Sequence, residues 1–405
     1  MSKNVVIVEA CRTPFDKFGG VLKGMSSIDL GTFIIEKVIE RSGIEKSEIE
    51  QVFYGTCMHA EVGQYQNIPA RQATLKAGLP NETLSVTVDR ACCSSMYAAE
   101  LAYQAIVSGD SEVCIACGSE NMSNIPLLVP SGVRWGIKAQ SLTMDDQLNP
   151  IGYGRTGWNP VALDAGNVAV EYNVTREEQD AWALQSQTRY AEALAAGSWS
   201  KEIVPMELPG KKGAIEVFNA DMSPRPETTL EGLAKLKTIY NNPTVTAGNA
   251  PGINTGASAI LMMSEEKAEK LGLKPLAYIR AIASVADDAT YIPRVPATAI
   301  QKAVAKLDKT VDDLTLIEIN EAFAAMPLVS CKILAEGDEK RLQRLHAITN
   351  VNGGAVALGH PVGATGARLI MTLMYELIRR GGGLGAAAIC GGLAQGDCVI
   401  IEVPN

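Results

Sequence analysis

His360 lies in the part of the chain that is densest in glycine and asparagine. Residues 350–366 read NVNGGAVALGHPVGATG, with five glycines and two asparagines around one of the three histidines in the sequence. Glycine allows left-handed backbone conformations and close approach of a ligand. We predict that this turn joins a strand to a helix and presents the imidazole at a strand end, where open α/β sheets place their chemistry. A packed turn histidine is the alternative, but the crowding of glycines favours a catalytic base.

Cys92 is the matching candidate for a nucleophile. It follows the strand pattern of residues 84–88, and helical spacing begins directly after its small-residue turn. A thiol at a helix N-terminus meets free N–H groups and the helix dipole, which lower its pKa and favour the thiolate. An inert buried cysteine is the ordinary alternative for a lone thiol. A cysteine turn and a histidine turn that meet at one site would supply a nucleophile and its base.

Two pairs of segments indicate that the fold is duplicated. Residues 35–52 and 300–317 each have the pattern of an amphipathic helix, a turn and an acidic segment entering a strand. Residues 111–118 and 383–391 are both apolar runs that end in a glycine turn. Two copies of one α/β unit would bring the cysteine turn and the histidine turn together at a shared, pseudo-twofold site.

The stretch between the two copies has a different composition. It contains all four tryptophans and many polar turns, and Thr175 and Glu178 have the spacing of a capping box before a helical pattern. We interpret this stretch as an inserted lid or loop domain. The predicted units are an N-terminal domain of residues 1–120 plus 250–275, the loop domain of residues 121–249, and a C-terminal domain of residues 276–405.

Composition narrows the class of protein. A chain of 405 residues exceeds one ordinary core, and 47% apolar residues with 37 glycines suit a well-packed α/β protein. A net charge of −9 and 5% aromatic residues argue against binding of nucleic acid. No apolar run reaches membrane-spanning length, and the N-terminus enters a strand pattern without a signal peptide, so we expect a cytoplasmic protein.

Nine cysteines raise the question of disulfides and metals. An odd count in a large chain without a secretion signal indicates reduced thiols. Cys114 and Cys117 form one Cys-x-x-Cys, but in a strand their side chains point to opposite faces and no second pair exists. We therefore predict no metal site.

Several blocks in order, spread over essentially the whole chain, resemble the thiolase family of acetyl-CoA acetyltransferases and 3-oxoacyl-CoA thiolases. They include VVIVEACRTPFDKFGG at residues 5–20, the turn around Cys92, NEAFA at 320–324, the Gly-His-Pro block around His360 and CGG at 390–392. The resemblance implies an α/β thiolase fold, in which two duplicated βαβαβαββ-type halves stack as α-β-α-β-α layers with an inserted loop domain.

The resemblance also implies a set of catalytic roles. Cys92 would be the acyl-accepting nucleophile, although Cys93 beside it occupies a position usually held by glycine and is the one-residue alternative. His360 would take the proton from Cys92. Cys390 would exchange a proton with the α-carbon of the acetyl-CoA unit as the carbon–carbon bond breaks or forms.

Two oxyanion sites and a CoA site follow from the same resemblance. Asn320 would hold a water that, with His360, binds the thioester oxygen of the enolate, and the N–H groups of Cys92 and Gly392 would bind the tetrahedral intermediate. Coenzyme A would be a co-substrate rather than a tightly bound cofactor. The implied CoA-binding residues are Arg225, Ala247, Gly248, Pro251, Ile253 and Phe323, although an ordered loop and a solvated arginine are the plain alternative.

The chain departs from the family pattern around its predicted substrate pocket. Residues 159–169 lack the histidine and methionine of biosynthetic members, and Pro251 replaces a serine that hydrogen-bonds pantetheine. Asp89 replaces an asparagine, Cys93 and Ser95 replace small glycines, and Leu393-Ala-Gln replaces further glycines. We therefore expect the substrate to be a 3-oxoacyl-CoA with a bulky, branched, aromatic or carboxylated acyl group. The alternative is a biosynthetic acetoacetyl-CoA thiolase.

Three competing functions stay open at the level of sequence. A ketoacyl-synthase-type condensing enzyme would need a second histidine or an asparagine partner, for which only His59 and His346 are available. A CoA-ester-binding relative without turnover would lack part of the cysteine, histidine and asparagine set. A subunit of a hetero-oligomer would need an accessory chain. We otherwise expect a homodimer or homotetramer acting on 3-oxoacyl-CoA and CoA, without nucleic-acid or membrane partners.

Overall fold

The computed structural model describes residues 3–64, 67–148, 157–210 and 213–404. The strands are β1 Val5–Arg12, β2 Asp16–Lys17, β3 Gln51–Gly55, β4 Leu84–Val88, β5 Val113–Asn121, β6 Leu127–Leu128, β7 Asp145–Asp146, β8 Met206–Pro209, β9 Ile215–Phe218, β10 Asn254–Ser264, β11 Ala277–Ala286, β12 Leu316–Ile319, β13 Gly383–Gly391 and β14 Gln395–Val403.

Helices alternate with these strands along the chain. They are α1 Ser27–Ser42, α2 His59–Gly63, α3 Pro69–Lys76, α4 Ser94–Ser108, α5 Val161–Glu171, α6 Arg176–Ala195, α7 Leu230–Ala234, α8 Glu265–Leu271, α9 Val295–Ala305, α10 Ala325–Ala335, α11 Glu339–Ile348, α12 Ala355–Leu358 and α13 Thr365–Arg379. None of the helices in the described ranges is both long and apolar enough to cross a membrane.

The main strands form one continuous sheet with a repeated order. The N-terminal half runs β1-β10-β5-β3-β4 and the C-terminal half runs β11-β14-β13-β12. In each half the long last strand pairs antiparallel with both of its neighbours. The two halves are joined where β1 and β11 pair over three residue pairs. All residues of β5 and β10 are buried, which suits the apolar runs at residues 113–117 and 259–263.

Three layers of helix enclose the two halves of this sheet. Helices α4 and α13 pack against each other and, with strands of both halves, form the largest hydrophobic cluster. A second cluster joins α1 and α3 to the outer face of the N-terminal half, and a third joins α9, α10 and α11 to the outer face of the C-terminal half. The layers are therefore helix, sheet, helix, sheet, helix, which confirms the predicted fold class.

The central helices approach each other closely because the second residue of α13 is glycine. A Cβ atom on Gly366 would lie 2.3 Å from the backbone nitrogen of Met96, well inside van der Waals contact. Only glycine permits this crossing without displacing α4. The crossing brings the first turn of α13 beside the first turn of α4.

The structure confirms the predicted repeats. Residues 35–52 and 300–317 each contain the end of a helix, a short 3₁₀ turn and the start of a strand, α1 to β3 in one half and α9 to β12 in the other. The apolar runs that end in glycine are β5 and β13. The C-terminal counterpart of β4 is reduced to one bridge, between Thr349 and Ile317.

The stretch between the halves is fixed to them by buried polar contacts. Helix α6 begins with the predicted capping box, in which the hydroxyl of Thr175 accepts from the Glu178 N–H at 3.1 Å and the Glu178 carboxylate accepts from the Thr175 N–H at 2.6 Å. The guanidinium of Arg12, at the end of β1, is fully buried and pairs with Glu202 and Asp221. Removing one partner of such a buried pair is costly, so these contacts hold the inserted stretch against the core.

Candidate active site

The turn that carries Cys92 follows β4 and leads into α4, as predicted. Ser94 holds the turn, since its hydroxyl donates to the Ala91 carbonyl at 2.6 Å and accepts from the Arg90 N–H at 2.9 Å. Ala91 adopts a φ of 47°, an uncommon left-handed conformation for alanine. The thiol of Cys92 is partly exposed to a cavity, whereas Cys93 is fully buried with its sulfur 3.7 Å from the Ile389 carbonyl. The geometry therefore favours Cys92 over Cys93 as the reactive thiol.

The turn that carries His360 is positioned by glycine and asparagine. Gly359 has a φ of 108°, and a Cβ atom there would lie 2.7 Å from the side chain of Asn254. The Asn254 oxygen accepts from the His360 N–H at 2.9 Å. The prediction of a strand directly before this turn is wrong, because residues Ala355–Leu358 form a single helical turn, α12.

The hydrogen bonds around His360 fix its tautomer. The hydroxyl of Thr365 donates to the Pro361 carbonyl at 2.8 Å, so its oxygen must accept from Nδ1 of His360, 2.6 Å away. Nδ1 therefore carries the proton and Nε2 has a free electron pair. The Cys92 sulfur lies 3.3 Å from Nε2, and Nδ2 of Asn320 lies 3.4 Å from it. The imidazole is thus arranged to accept a proton from the thiol.

Cys92 and His360 are both uncharged at neutral pH. Burial, together with the carboxylates of Glu120 and Asp89, raises the pKa of Cys92 to about 12. Burial, together with the charge of Arg368, lowers the pKa of His360 to about 3. The backbone N–H of Cys92 does lower the pKa of the thiol, but removal from water outweighs it, so the predicted preference for the thiolate is wrong. A thiol beside a neutral imidazole is therefore the stable pair.

Cys390 lies near the end of β13 and faces the same site. It is fully buried, and burial together with the neighbouring Cys92 raises the pKa of its thiol. The next residue must be small, since a Cβ atom on Gly391 would lie 3.0 Å from both the Arg90 carbonyl and the Cys93 sulfur. Two such contacts bring the turns of the two cysteines together.

The turn after β13 carries the departures from the family's glycines. Gly392 lines a cavity together with Cys92 and Cys390. Leu393 and Ala394 follow with φ values of 56° and 52°, a region that glycine occupies more readily than other residues. The substitutions keep the left-handed turn and add a side chain to the wall of the cavity.

Asn320 lies directly after β12 and beneath His360. Its N–H donates to the Ala388 carbonyl at 3.0 Å, which fixes the residue to the adjoining strand β13. Its side chain is fully buried, and Oδ1 has no hydrogen-bond donor among the described residues. A buried amide oxygen without a donor is a place where a water molecule is expected to bind.

Glu321 is a buried residue that the sequence analysis missed. Its carboxylate accepts hydrogen bonds from Trp182 at 2.8 Å, Ser186 at 2.8 Å, Asn350 at 3.0 Å and the Val356 N–H at 3.0 Å. The first two donors belong to α6, in the inserted stretch. Glu321 therefore fixes that stretch to the residue next to Asn320.

Glu120 is a second carboxylate that sequence reasoning missed. It accepts from the N–H groups of Cys57, Met58 and Gly363 at 2.9 to 3.1 Å and from the Thr56 hydroxyl at 3.0 Å. Burial raises its pKa. The carboxylate connects the turn that contains His360 to the N-terminal half. Its position beside small residues in a strand gave no sequence signal for this role.

Two cavities meet at Cys92. We call the one that contains Arg225 the proximal cavity and the one that extends past Cys390 the distal cavity. The proximal cavity, of about 300 Å³, is predominantly apolar and is lined by Met122, Pro160, Val161, Ile239, Ala250 and others. The distal cavity, of about 470 Å³, reaches past both cysteines and is lined by Cys57, Met58, His59, Asp89, Arg90, Cys390, Gly392 and others. Cys92, Val161, Ala322 and Val362 line both.

The proximal cavity brings together five of the six residues expected to bind CoA. Arg225, Ala247, Pro251, Ile253 and Phe323 all line it, and the side chain of Arg225 is exposed at its surface. Gly248 is not among the lining residues. A Cβ atom there would lie 2.5 Å from the side chains of Leu233 and Leu236, so its role is to let this loop pack on α7.

Family models match both halves of the chain. The model described as the thiolase N-terminal domain matches residues 5–266, and the model described as the thiolase C-terminal domain matches residues 273–403. Together they leave only the ends and a short connection unmatched.

Similar proteins align over nearly the full length. An acetyl-CoA acetyltransferase of Syntrophomonas wolfei is 40% identical, with 99% of this chain and all of that protein covered. A beta-ketoadipyl-CoA thiolase of Pseudomonas aeruginosa is also 40% identical with the same coverage. The crystal structure of human mitochondrial 3-ketoacyl-CoA thiolase in complex with CoA has a TM-score of 0.92 and 34% identity, covering 100% of this chain and 98% of that one.

Proposed function

Because the chain belongs to the thiolase family and is an acyltransferase, we propose that it catalyses CoA-dependent thiolytic cleavage of a 3-oxoacyl-CoA, or the reverse Claisen condensation, through an acyl-cysteine intermediate on Cys92. One observation carries the proposal: the Cys92 sulfur lies 3.3 Å from Nε2 of a neutral His360 whose Nδ1 already holds a proton. This is the arrangement in which the imidazole can act as a general base toward the thiol.

The first half of the reaction acylates the enzyme. His360 takes the proton of Cys92 as the sulfur attacks the 3-oxo carbon of the substrate. The bond between the second and third carbons of the chain then breaks, and its electron pair forms the enolate of acetyl-CoA. Cys390 donates a proton to that carbon, which releases acetyl-CoA and leaves the acyl group on Cys92.

The second half transfers the acyl group to CoA. Cys390, now a thiolate, takes the proton of the incoming CoA thiol, whose sulfur attacks the acyl-cysteine carbonyl. The bond to Cys92 breaks, and His360 returns its proton to the departing sulfur. Each proton taken in the first half is thereby returned, and the products are acetyl-CoA and an acyl-CoA shortened by two carbons.

Two groups of donors would stabilise the oxyanions of these steps. The N–H groups of Cys92 and Gly392 are proposed to bind the oxygen of the tetrahedral intermediate. A water on the unpaired Oδ1 of Asn320, together with His360, is proposed to bind the enolate oxygen. Pre-arranged donors of this kind commonly contribute about 3 kcal/mol each to transition-state stabilisation.

The proximal cavity is the proposed site of the CoA arm. Its apolar walls suit the pantetheine chain, and the exposed guanidinium of Arg225 suits a phosphate of the nucleotide. Pro251 offers neither a hydroxyl nor an N–H to pantetheine. Contact at that position is therefore proposed to be apolar.

The distal cavity supports an acyl group larger than acetyl. At about 470 Å³ it is several times the space that the three heavy atoms of an acetyl group need, since one water takes about 30 Å³ of liquid volume. Cleavage of a longer 3-oxoacyl-CoA is therefore favoured over cleavage of acetoacetyl-CoA, which is retained as the alternative.

Domain division and assembly complete the proposal. Residues 1–120 with 250–275, 121–249 and 276–405 are proposed as the three units, because β10 pairs with β1 and β5 of the N-terminal half.

A homodimer or homotetramer is supported by β4, an edge strand on which Leu84 is 62% and Val86 is 41% exposed. Light scattering of the purified chain would measure the oligomeric state, and a monomer would contradict it.

Trapping the intermediate tests the proposed reaction. The enzyme is incubated with a 3-oxoacyl-CoA without free CoA, quenched in acid and mapped by mass spectrometry. We expect the acyl group on Cys92 and release of acetyl-CoA, with both lost in Cys92→Ser and the adduct retained in Cys93→Ser. An adduct on another residue, or substrate binding without acetyl-CoA release, would contradict the proposal. The second outcome would favour a CoA-ester-binding protein.

A further inference from the structure

The distal cavity contains one polar pair that the reaction does not use. Nε2 of His59 lies 2.7 Å from Oδ2 of Asp89, and both residues line the cavity wall. Asp89 is three residues before Cys92, and its other oxygen accepts from the Ala91 N–H at 2.9 Å. The turn that positions the nucleophile therefore also positions this carboxylate, and the carboxylate in turn orients the imidazole.

The two members of this pair balance each other in charge. The hydrogen bond to Asp89 raises the pKa of His59 despite partial burial. Partial burial opposes ionisation of Asp89, but its hydrogen bonds with His59 and the Ala91 N–H outweigh this effect and lower its pKa. Whether His59 is protonated or neutral, the pair carries no net positive charge with which to hold a second carboxylate.

The other cation at the cavity wall is already engaged. The guanidinium of Arg90 donates to Asp397 at 2.8 Å and to Ser284 at 3.0 Å, and it stacks 3.4 Å from the ring centre of Tyr97. Among the described residues that line the distal cavity, no cation is therefore left unpaired. A carboxylate at the end of an acyl chain would therefore approach the negative charge of Asp89 without gaining a free counter-ion.

An uncharged hydrogen-bond donor finds a partner at the pair. A hydroxyl can donate to the Asp89 carboxylate, which His59 already orients, whereas a methyl group would displace water from that carboxylate without replacing its hydrogen bond. Hydrogen bonds to charged groups are the strong ones, and a pocket that holds such groups discriminates against substrates that cannot pair with them.

We propose that the distal cavity binds the acyl group of a 3-oxoacyl-CoA whose chain ends in an uncharged hydrogen-bond donor such as a hydroxyl, and that Asp89, oriented by His59, binds that end. The inference rests on the proposed thiolytic function and specifies its substrate class. Among the bulky, branched, aromatic or carboxylated acyl groups expected from the sequence, it argues against the carboxylated ones.

Three substrates of equal chain length test the inference. They are 3-oxohexanoyl-CoA, its 6-hydroxy derivative and 3-oxoadipyl-CoA, which end in a methyl, a hydroxyl and a carboxylate. We expect kcat/KM for the hydroxyl substrate to exceed that for the methyl substrate about tenfold, in line with a hydrogen bond to a charged group. The carboxylate substrate is expected to rank below the hydroxyl one. A preference for the methyl or carboxylate substrate would overturn the inference.

Variants connect the preference to the pair. His59→Phe is expected to bring the hydroxyl-to-methyl ratio of kcat/KM close to one. Lys76→Met is the matched control, since Lys76 and Asp29 form an ion pair at 2.8 Å with similar exposure away from both cavities, and it should keep the wild-type ratio. An unchanged ratio in His59→Phe would overturn the assignment.

Binding measurements separate this inference from the proposed function. Cys92→Ser is titrated with 6-hydroxyhexanoyl-CoA and hexanoyl-CoA by calorimetry, which needs no turnover. Tighter binding of the hydroxyl compound would support the inference even if the wild-type enzyme cleaved none of the three substrates, a result that would contradict only the proposed function. Equal or weaker binding would overturn the inference even if cleavage were rapid.

Discussion

The hydroxyl of Thr365 lies 2.6 Å from Nδ1 of His360 and determines which nitrogen of the imidazole can act as a base. Because that hydroxyl donates to the Pro361 carbonyl, it can only accept from the ring. The free electron pair is consequently on Nε2, toward Cys92 and Asn320. A residue in the first turn of α13 thus controls a proton transfer that it does not take part in.

Thr365→Val should lower kcat about 100-fold with little change in KM, because a ring without its acceptor loses the tautomer that general-base catalysis needs. Steady-state kinetics on one 3-oxoacyl-CoA would measure this. Thr365→Ser keeps the hydroxyl and should recover most of the loss. Equal activity in the valine and serine variants would show that Thr365 has only a packing role.

The lowered pKa of His360 should affect stability in acid. Its folded-state pKa is about 3 and its ordinary value is 6.5, so between these values the unfolded chain binds a proton that the folded protein does not. The free energy of unfolding should therefore fall by up to about 1.4 kcal/mol for each pH unit of acidification through that range.

Comparison with His360→Asn isolates this contribution, because the other buried acids titrate alike in both proteins. Urea unfolding at several pH values should show the wild-type stability falling more steeply than that of the variant below about pH 6.5. Parallel curves would mean that His360 takes up its proton in the folded protein as easily as in the unfolded chain.

Glu321→Gln should loosen the inserted stretch. All four groups around this carboxylate are donors, so an amide nitrogen in the same place leaves at least one buried donor unpaired, at a cost of about 1–3 kcal/mol. The expected readouts are a lower midpoint of denaturant unfolding and faster proteolysis within residues 121–249. Glu192→Gln, on the same helix, serves as a control, and an equal effect there would contradict the prediction.

Gly118→Ala should be strongly destabilising. A Cβ atom there would lie 2.1 Å from the carbonyl oxygen of Gly363, in the 3₁₀ turn that follows His360. The turn and β5 must separate, which we expect to cost more than about 3 kcal/mol in stability. Gly132→Ala is the matched control, because nothing lies within 4 Å of the added atom. Thermal unfolding of the two variants should differ clearly, and similar melting temperatures would refute the predicted clash.

The sequence allowed the two turns that meet at the candidate site and the repeat to be predicted, for physical reasons that are local. Cys92 and His360 stand in small-residue turns beside strongly periodic segments, and the paired helix and strand patterns of residues 35–52 and 300–317 are each readable alone. The capping box of Thr175 and Glu178 is likewise a four-residue signal. These features need no knowledge of distant neighbours.

The missed features all depend on contacts between distant parts of the chain. Thr365, Glu321 and Glu120 are ordinary residues in sequence and gain their roles from partners on other elements. The wrong direction for the pKa of Cys92 has the same origin, since a helix terminus is visible in the sequence whereas the degree of burial is not. The single helical turn before His360 replaces a predicted strand because the fifth strand position of this half, the counterpart of β4, is reduced to a bridge at Thr349.

The close crossing at Gly366 has a consequence for how this chain can change over evolution. The proposed nucleophile, Cys92, belongs to one copy of the repeat and the proposed base, His360, to the other, so neither copy has a complete site of its own. The helices that carry the two turns touch where a single methyl group would separate them. The outer layers of the two copies can therefore diverge independently. A substitution in the first turn of α4 or α13, by contrast, requires a compensating substitution in the first turn of the other.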